Sequence, residues 1–385
     1  MKKVVVVVDA NLNENIYGGK SIRTSNIFSR LSKFVDLVYI PLLQPDQIIP
    51  EYIKSTFSRI EPIRFKLSPR PSLNKIKTIL EMLPGYYFPL SYPEIFRGIE
   101  SRLFNVFKKN KPSIVHIFDF YIGSCLVNLS KQYKTIWDIG DSFWLIEKRS
   151  NQLNYDSFRI RNYEYRLLKA FDKTVFVGKG DFEEYNKKLR DKIELIPIGI
   201  DDSFLNYNYS CNKPEQDTII FSGNMSYGPN SDTVKYFYQT IWLKLTQRRP
   251  DLKWYIVGTS PEIIGKMIGN NKNIVITGKV FDIKPYLARA KIYVAPIRYG
   301  GGMKNKLLEA MAMQKIIIAS PRAVEGFMQG HNMHVVESPD KFLQLLLQLL
   351  SDKQDLDSKN RNFVTLNYTW DKTVEKYLNL YDELL

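Results

Sequence analysis

The feature that most constrains the fold of this 385-residue chain is an alternation, carried through its whole length, of short apolar runs with longer amphipathic segments. Such alternation predicts parallel sheets covered by helices. In the first half the pattern predicts strands at 3–9, 35–41, 113–118, 134–138, 172–177 and 193–196, with helices at 20–33, 94–109, 121–132, 157–169 and 180–188. Residues 42–93 are less regular and rich in proline. A polar, turn-rich break falls at 198–216, and the apolar run TIIFSG opens a second series. There the strands are predicted at 218–222, 252–258, 273–276, 291–295, 315–319 and 333–336. The helices fall at 230–247, 261–268, 283–289, 304–313, 340–351, 354–366 and 371–384. The chain is too long for one typical core. The expectation is α/β: two doubly wound, Rossmann-like domains over 1–200 and 201–370, facing across a cleft, with a last helix over 371–385. In such sheets ligands sit beyond the carboxyl ends of the strands.

One of those strand ends is unusual. PIRYGGGMKNKLLEAMAM, residues 296–313, runs from an apolar strand through Gly300, Gly301 and Gly302 into a helix. Glycines let the backbone turn sharply and bring N–H groups close to a ligand. The helix aims its positive end at the same place. Lys306 and Glu309, three residues apart, share one helix face. This set suits a nucleotide diphosphate: the cation and the amides, Met303 included, take the phosphates, and the carboxylate takes the two ribose hydroxyls. The plain alternative is a strand–turn–helix with a surface ion pair. Arg298 is a second candidate phosphate cation, or an ordinary exposed loop residue.

Other strand ends supply further candidates. Gly18 and Gly19 follow the first strand and precede Lys20, without P-loop or dinucleotide-fingerprint spacing. They either border the cleft and touch donor phosphate or acceptor, or simply start a helix. Gly223 and Asn224 follow the first strand of the second series, where Asn224 can bond a phosphate or base, or hold a turn. Asp119, Asp138 and Asp141 lie at strand ends of the first half. Each is a candidate to orient an acceptor hydroxyl or act as base, or else a cap or loop residue. His116, inside an apolar strand, reads as a satisfied core histidine.

Composition removes other functions. Two cysteines, Cys125 and Cys211, and three histidines, His116, His331 and His334, give neither a disulfide framework nor a His- or Cys-based metal site. No GxSxG or HExxH signature occurs and no Asp-x-Asp stands out at a strand end, so no metal is expected. MKKVVVVVDA is too short to span a membrane and lacks a signal-peptide cleavage pattern, so a buried strand is expected there. The net charge of +15 favours anionic partners. Residues 52–112 hold twelve Lys/Arg against four Glu, interleaved with aromatics. That stretch fits docking on an anionic membrane surface, or a solvated basic face whose aromatics belong to the core.

The runs FSGNMSYGPNSDTVKYF, YIVGTSP and VITGKVFDIKPYLARAKIYVAPIRYGGGMKNKLLEAMAMQKIIIASPRAVEGF, in that order and spacing, resemble the glycosyltransferase family 4 enzymes of the GT-B fold. The resemblance covers most of the chain and is strongest over 218–326. It is nearest to exopolysaccharide-associated sugar transferases, through Gly302-Met303-Lys304-Asn305-Lys306-Leu307-Leu308-Glu309-Ala310-Met311-Ala312. It implies that Glu309 is the ribose-binding acid closing a Glu-x7-Glu motif whose first Glu is here Gly301, leaving the backbone N–H groups of 301–303 to contact the donor sugar. The usual Gly-Arg turn is Gly223-Asn224, so Lys306, with Arg298, is the replacement cation. Gly18 and Gly19 match the N-terminal glycine turn, and Asp141 stands in the region of a frequent catalytic His. Tyr368-Thr369-Trp370 resembles the aromatic run before the last helix, which in that fold crosses back to the first domain. The resemblance implies retaining, metal-independent sugar transfer from a UDP- or GDP-sugar to a glycan or lipid-linked acceptor, in the cytoplasm or at the inner membrane face. Lys306, Asp141 and Asp119 are the catalytic candidates, and nucleic acid is not an expected partner. The rival readings are a non-hydrolysing sugar-nucleotide epimerase and a non-catalytic basic protein that binds membrane or nucleic acid.

Overall fold

The structure of the chain, a computed structural model, describes residues 2–9, 19–66, 98–118, 120, 122–149, 153, 155–208, 214–215, 217–269, 271–352 and 356–385. Gly18, Asp119, Cys211 and much of the proline-rich stretch lie outside them. The chain divides into two compact units, one of residues 1–199 with 370–385, the other of residues 200–369.

In the first unit the sheet contains β1 (Val4–Asp9), β2 (Asp36–Leu43), β3 (Arg59–Ile60), β4 (Ile63–Arg64), β5 (Ile114–Ile117), β6 (Lys134–Gly140), β7 (Lys173–Phe176) and β8 (Ile193–Leu195). The order is β3-β2-β1-β5-β6-β7-β8, with β4 paired to β2, and every pairing is parallel. The valine run makes β1 central. Val5 to Val8 are wholly buried, and Val6 stands opposite both Val38 and Val115. A strand covered on both faces tolerates no alternating polar residue. The helix expected over 121–132 is broken into Gly123–Leu126 and a 3-10 turn, Leu129–Lys131. Ser130 Oγ donates to the Val127 carbonyl at 2.7 Å, and Asn128 Nδ2 donates to Glu100 Oε1 at 3.1 Å. These side chains compete with the helix for backbone and neighbouring partners.

The helix Trp370–Leu384 belongs to this unit and closes a buried polar network. His116 Nδ1 meets the Tyr381 hydroxyl at 2.8 Å, and His116 Nε2 meets Asp138 Oδ2 at 3.2 Å. Arg23 donates to Asp138 at 2.5 Å and to the Tyr377 hydroxyl at 2.6 Å, and that hydroxyl donates to Asp138. Burial alone would raise the Asp138 carboxyl, but the Arg23 guanidinium and the His116 bond hold it below the usual range. His116 is thus a satisfied core residue, and Asp138 a buried one.

The second unit holds β9 (Thr218–Ser222), β10 (Lys253–Val257), β11 (Ile274–Gly278), β12 (Ile292–Ala295), β13 (Ile316–Ala319) and β14 (His334–Val335), in the order β11-β10-β9-β12-β13-β14. The helix expected over 230–247 carries a π turn at Tyr238–Trp242 between Gly228–Phe237 and Leu243–Arg248. The turn falls where Trp242 is seated against Trp254, 5.4 Å between ring centroids. Lys291 and Lys315, just ahead of β12 and β13, are almost wholly buried. Lys315 Nζ donates to the Ala290 carbonyl at 2.9 Å and the Ala288 carbonyl at 3.3 Å, at the end of the helix Lys284–Arg289. A cation there meets orphan carbonyls and the negative end of the helix. Lys315→Met is expected to lower the unfolding free energy by about 1–3 kcal/mol, the cost of leaving buried acceptors unpaired, read from urea denaturation midpoints. No helix among the described residues is long and apolar enough to cross a membrane.

Candidate functional site

In the second unit the strand order reverses between β9 and β12, which pair directly, Ile219 to Ile292 and Ile220 to Tyr293. A crevice opens at such a reversal, beyond the carboxyl ends of the strands. The two turns that leave those ends, 223–229 after β9 and 296–304 after β12, pack on one another there. A Cβ on Gly300, at φ +107°, would lie 3.2 Å from Pro229, and one on Gly228 would lie 3.0 Å from the Tyr299 hydroxyl.

The helix Asn305–Ala312 starts from this contact. Lys306 Nζ donates to Asn230 Oδ1 and lies 4.7 Å from the centre of the Phe221 ring. A Cβ on Gly223, at φ +155°, would come within 2.7 Å of that amine. Asn230 Nδ2 donates to the Asn224 carbonyl at 2.8 Å, which ties the first turn to the same helix. Beneath it the Tyr293 hydroxyl meets Ser222 Oγ at 2.9 Å. Lys306 and Glu309 form no ion pair, so the expected alternative of a surface salt bridge is replaced by two separate groups. Among the described residues the Glu309 carboxylate has no hydrogen-bond partner. Both side chains keep some contact with water, yet protein crowds them. Desolvation, aided by Lys304, takes the Lys306 amine down to about 7, against the pull of Glu309. Desolvation takes the Glu309 carboxyl up to about 7, against Lys306 and Lys284.

The glycine turn presents its amides. Lys304 Nζ donates to the carbonyls of Gly301 and Gly302, the latter at 3.1 Å. In trans peptides the following N–H groups, those of Gly302 and Met303, therefore point the other way. Among the described residues neither finds a protein acceptor. Gly326 seats this turn, since a Cβ there would be 2.7 Å from Met303 Cα and 2.9 Å from the Gly302 oxygen. Gly258 seats the first turn in the same way, against Gly223.

Asn224 spends its side-chain oxygen within its own turn, accepting from Ser226 N–H at 3.0 Å and Ser226 Oγ at 2.8 Å. Arg298 is not brought beside Lys306. Its Nε donates to Asp232 Oδ2 at 3.0 Å and its guanidinium lies 4.8 Å from the Tyr236 ring centre. Asp232 is two residues from Asn230, on the far side of the same helix. Arg298, the expected supplement to Lys306, is thus paired with Asp232.

In the first unit Gly19 opens the helix Gly19–Leu31. Lys20, beside it, bonds Asp9 at the end of β1, at 2.7 Å. Asp141 follows β6 and is partly exposed. Its loop is anchored by buried carboxylates: Ser142 N–H donates to Asp181 at 2.9 Å, and Ser142 Oγ donates to Glu164 at 2.5 Å. Burial pushes the Glu164 carboxyl up to about 7 against bonds from Ser142, Tyr185 and Trp144. The described residues contain no group of three or more His, Cys, Asp or Glu arranged to hold a metal ion. Asn230, Phe221, Gly258 and Gly326 are site residues that sequence reasoning passed over. Only Gly258 left a signal, as a glycine directly after β10, in the place Gly223 takes after β9.

Residues 216–352 match the family described as Glycosyl transferases group 1. An uncharacterized glycosyltransferase of Methanocaldococcus jannaschii is 31% identical over 140 residues, 33% of this chain and 36% of that protein. An uncharacterized 44.6 kDa protein in the cps region of Klebsiella pneumoniae is 21% identical over 199 residues, 49% of each chain. The matches thus span half or less of these curated relatives. Among solved structures, Anabaena HepE in complex with UDP superposes with a TM-score of 0.70 at 9% identity, over 99% of this chain and 100% of that one. The fold, two parallel-sheet α/β domains, is that of the GT-B glycosyltransferases.

Proposed function

We propose that this chain, with a group 1 glycosyl transferase domain over residues 216–352, is a retaining, metal-independent glycosyltransferase. It moves a sugar from a nucleotide-diphosphate sugar to a glycan or lipid-linked acceptor. The observation that carries this reading is Glu309, a carboxylate raised to about 7, without a hydrogen-bond partner among the described residues, one helical turn from Lys306. Vicinal ribose hydroxyls offer two donors to the two oxygens of such a carboxylate. Lys306, the Gly302 and Met303 amides and the helix N-terminus offer positive charge to the diphosphate. The UDP held by HepE supports a uridine or similar nucleotide. The cps-region relative supports a role in surface polysaccharide synthesis.

In the transfer, the bond from the sugar C1 to the β-phosphate oxygen breaks while the acceptor oxygen bonds to C1 from the same face. The acceptor proton passes to the departing phosphate oxygen. The charge that develops on the phosphate is met by Lys306 and the turn amides, a preorganised set that needs no rearrangement. The enzyme works in the cytoplasm, at the inner membrane face, where basic side chains such as Arg102, Lys108 and Lys109 on the helix Ile99–Asn110 meet anionic lipid.

Calorimetric titration with UDP and GDP tests the reading. Glu309→Ala is expected to weaken the preferred nucleotide roughly ten- to a hundredfold, as for loss of hydrogen bonds to a charged group. Unchanged affinity would remove the ribose assignment.

A further inference from the structure

The second unit contains a cavity of about 550 Å³ at the carboxyl ends of β12, β13 and β14. Tyr236, Arg298, Arg322, Glu325 and Glu337 supply its polar wall, and Phe342 is part of its apolar floor. Lys306, Glu309 and residues 299–304 do not line it. Ser320, Pro321, Arg322 and Glu325 do, just ahead of the Gly326 that seats the glycine turn. The cavity is therefore a neighbour of the donor turn and separate from it.

Its electrostatics narrow the ligand. The two guanidinium charges are balanced by the two carboxylates. Arg322 is already bonded to Glu325, and Arg298 to Asp232. No surplus positive charge is left to hold an anion. The wall instead mixes donors and acceptors. Among the described residues neither the Glu337 carboxylate nor the Tyr236 hydroxyl has a hydrogen-bond partner. A ligand with many hydroxyls and no charge uses both kinds of group, while its C–H face lies on the apolar floor. A cavity in the range of small-ligand pockets, roughly 300–1,000 Å³, has room for one or two sugar rings. We infer that this cavity is a subsite for a neutral saccharide, one that holds a glycan beside the donor turn rather than in it.

The test needs no catalysis. Maltose, cellobiose and lactose are titrated against the full chain by calorimetry and saturation-transfer NMR, with inorganic phosphate as the anionic competitor and UDP as a control. Glu337→Ala and the double variant Arg322→Leu/Glu325→Leu, which removes both members of that pair, are titrated beside it. At least one disaccharide is expected to bind, to weaken about tenfold in each variant, and to persist in 10-fold excess phosphate, with UDP affinity unaltered in the variants. Absence of binding by all three disaccharides, binding that survives Glu337→Ala, or displacement by phosphate would overturn the inference. Glu337 is exposed, so its variant decides the matter even if the double variant fails to fold. UDP binding is read in the same samples, so a failed donor assignment and a failed saccharide subsite give different results.

Discussion

Lys306→Ala is expected to lower kcat/KM for sugar transfer roughly 10²- to 10³-fold, the range for removing one preorganised donor from a developing anion. The same change is expected to raise the stability of the unliganded protein at pH 7. Its amine titrates near 7 in the folded chain, far below an ordinary lysine. Folding therefore bears the full cost of burying the cation below about pH 7, and the cost is relieved as pH rises toward the unfolded value. Glu309, raised to about 7, behaves in the opposite sense. Its cost is absent in acid and complete above about pH 7. Both costs stand close to their maximum at neutrality, so Lys306→Met and Glu309→Gln are each expected to add on the order of 1–3 kcal/mol there, a range discounted for partial exposure. Urea midpoints at pH 5, 7 and 9 separate the two: the Glu309→Gln gain shrinks at pH 5, and the Lys306→Met gain shrinks at pH 9. In the wild type, the hold on the diphosphate weakens as pH rises through 7 and Lys306 loses its proton, while Glu309 ionises over the same range and gains its hold on the ribose. Lys306→Ala is expected to leave only the second effect, an affinity that rises with pH.

Gly258→Ala is expected to be the most disruptive single methyl in the second unit. The new Cβ would fall 1.8 Å from the Gly223 oxygen and 3.2 Å from its nitrogen, and the backbone at 258 has φ +144°. Backbone atoms cannot step aside as the end of a side chain can, so the turn that cages Lys306 must move. The expected loss exceeds roughly 3 kcal/mol, beyond the usual range for point variants, and nucleotide binding is lost with it. Gly265, in the helix Pro261–Ile268, has nothing within 4 Å of its Cβ position. Gly265→Ala should gain about 0.5–1 kcal/mol from helix propensity. Thermal melts of the two variants check the contrast. Equal melting temperatures would mean that the Gly258–Gly223 contact does not hold the turn.

The strands were legible because parallel strands buried on both faces are written as unbroken apolar runs: VVVVVD and TIIFS locate β1 and β9. The helix Pro261–Ile268 coincides with its predicted span, since Pro261 fixes its start and Gly269, at φ +72°, ends it. The helix Asn305–Ala312 and its preceding glycine turn were legible for the same local reasons. What stayed hidden depends on partners far away in sequence. Arg298 looked available until Asp232, 66 residues earlier, claimed it. Lys315 carried every mark of a surface residue, and only the end of another helix explains its burial. Gly326 is an ordinary loop glycine by sequence, and its role is set by which backbone passes within contact distance.

The helix Trp370–Leu384 has a consequence for the order in which the molecule is made. Its Tyr377 and Tyr381 hydroxyls supply bonds to Asp138, His116 and Arg23 inside a unit otherwise built from residues 1–199. During synthesis those earlier residues emerge first, while residues 200–369, an entire second unit, come before the missing helix. The second unit is complete in sequence before that helix is made. The first must wait, with a buried carboxylate and a histidine still short of partners, and its chain ends are joined only when the tyrosines arrive. The amino-terminal half is thus the last part to reach its final form, and it is the half for which a chaperone holding an unfinished core would matter most.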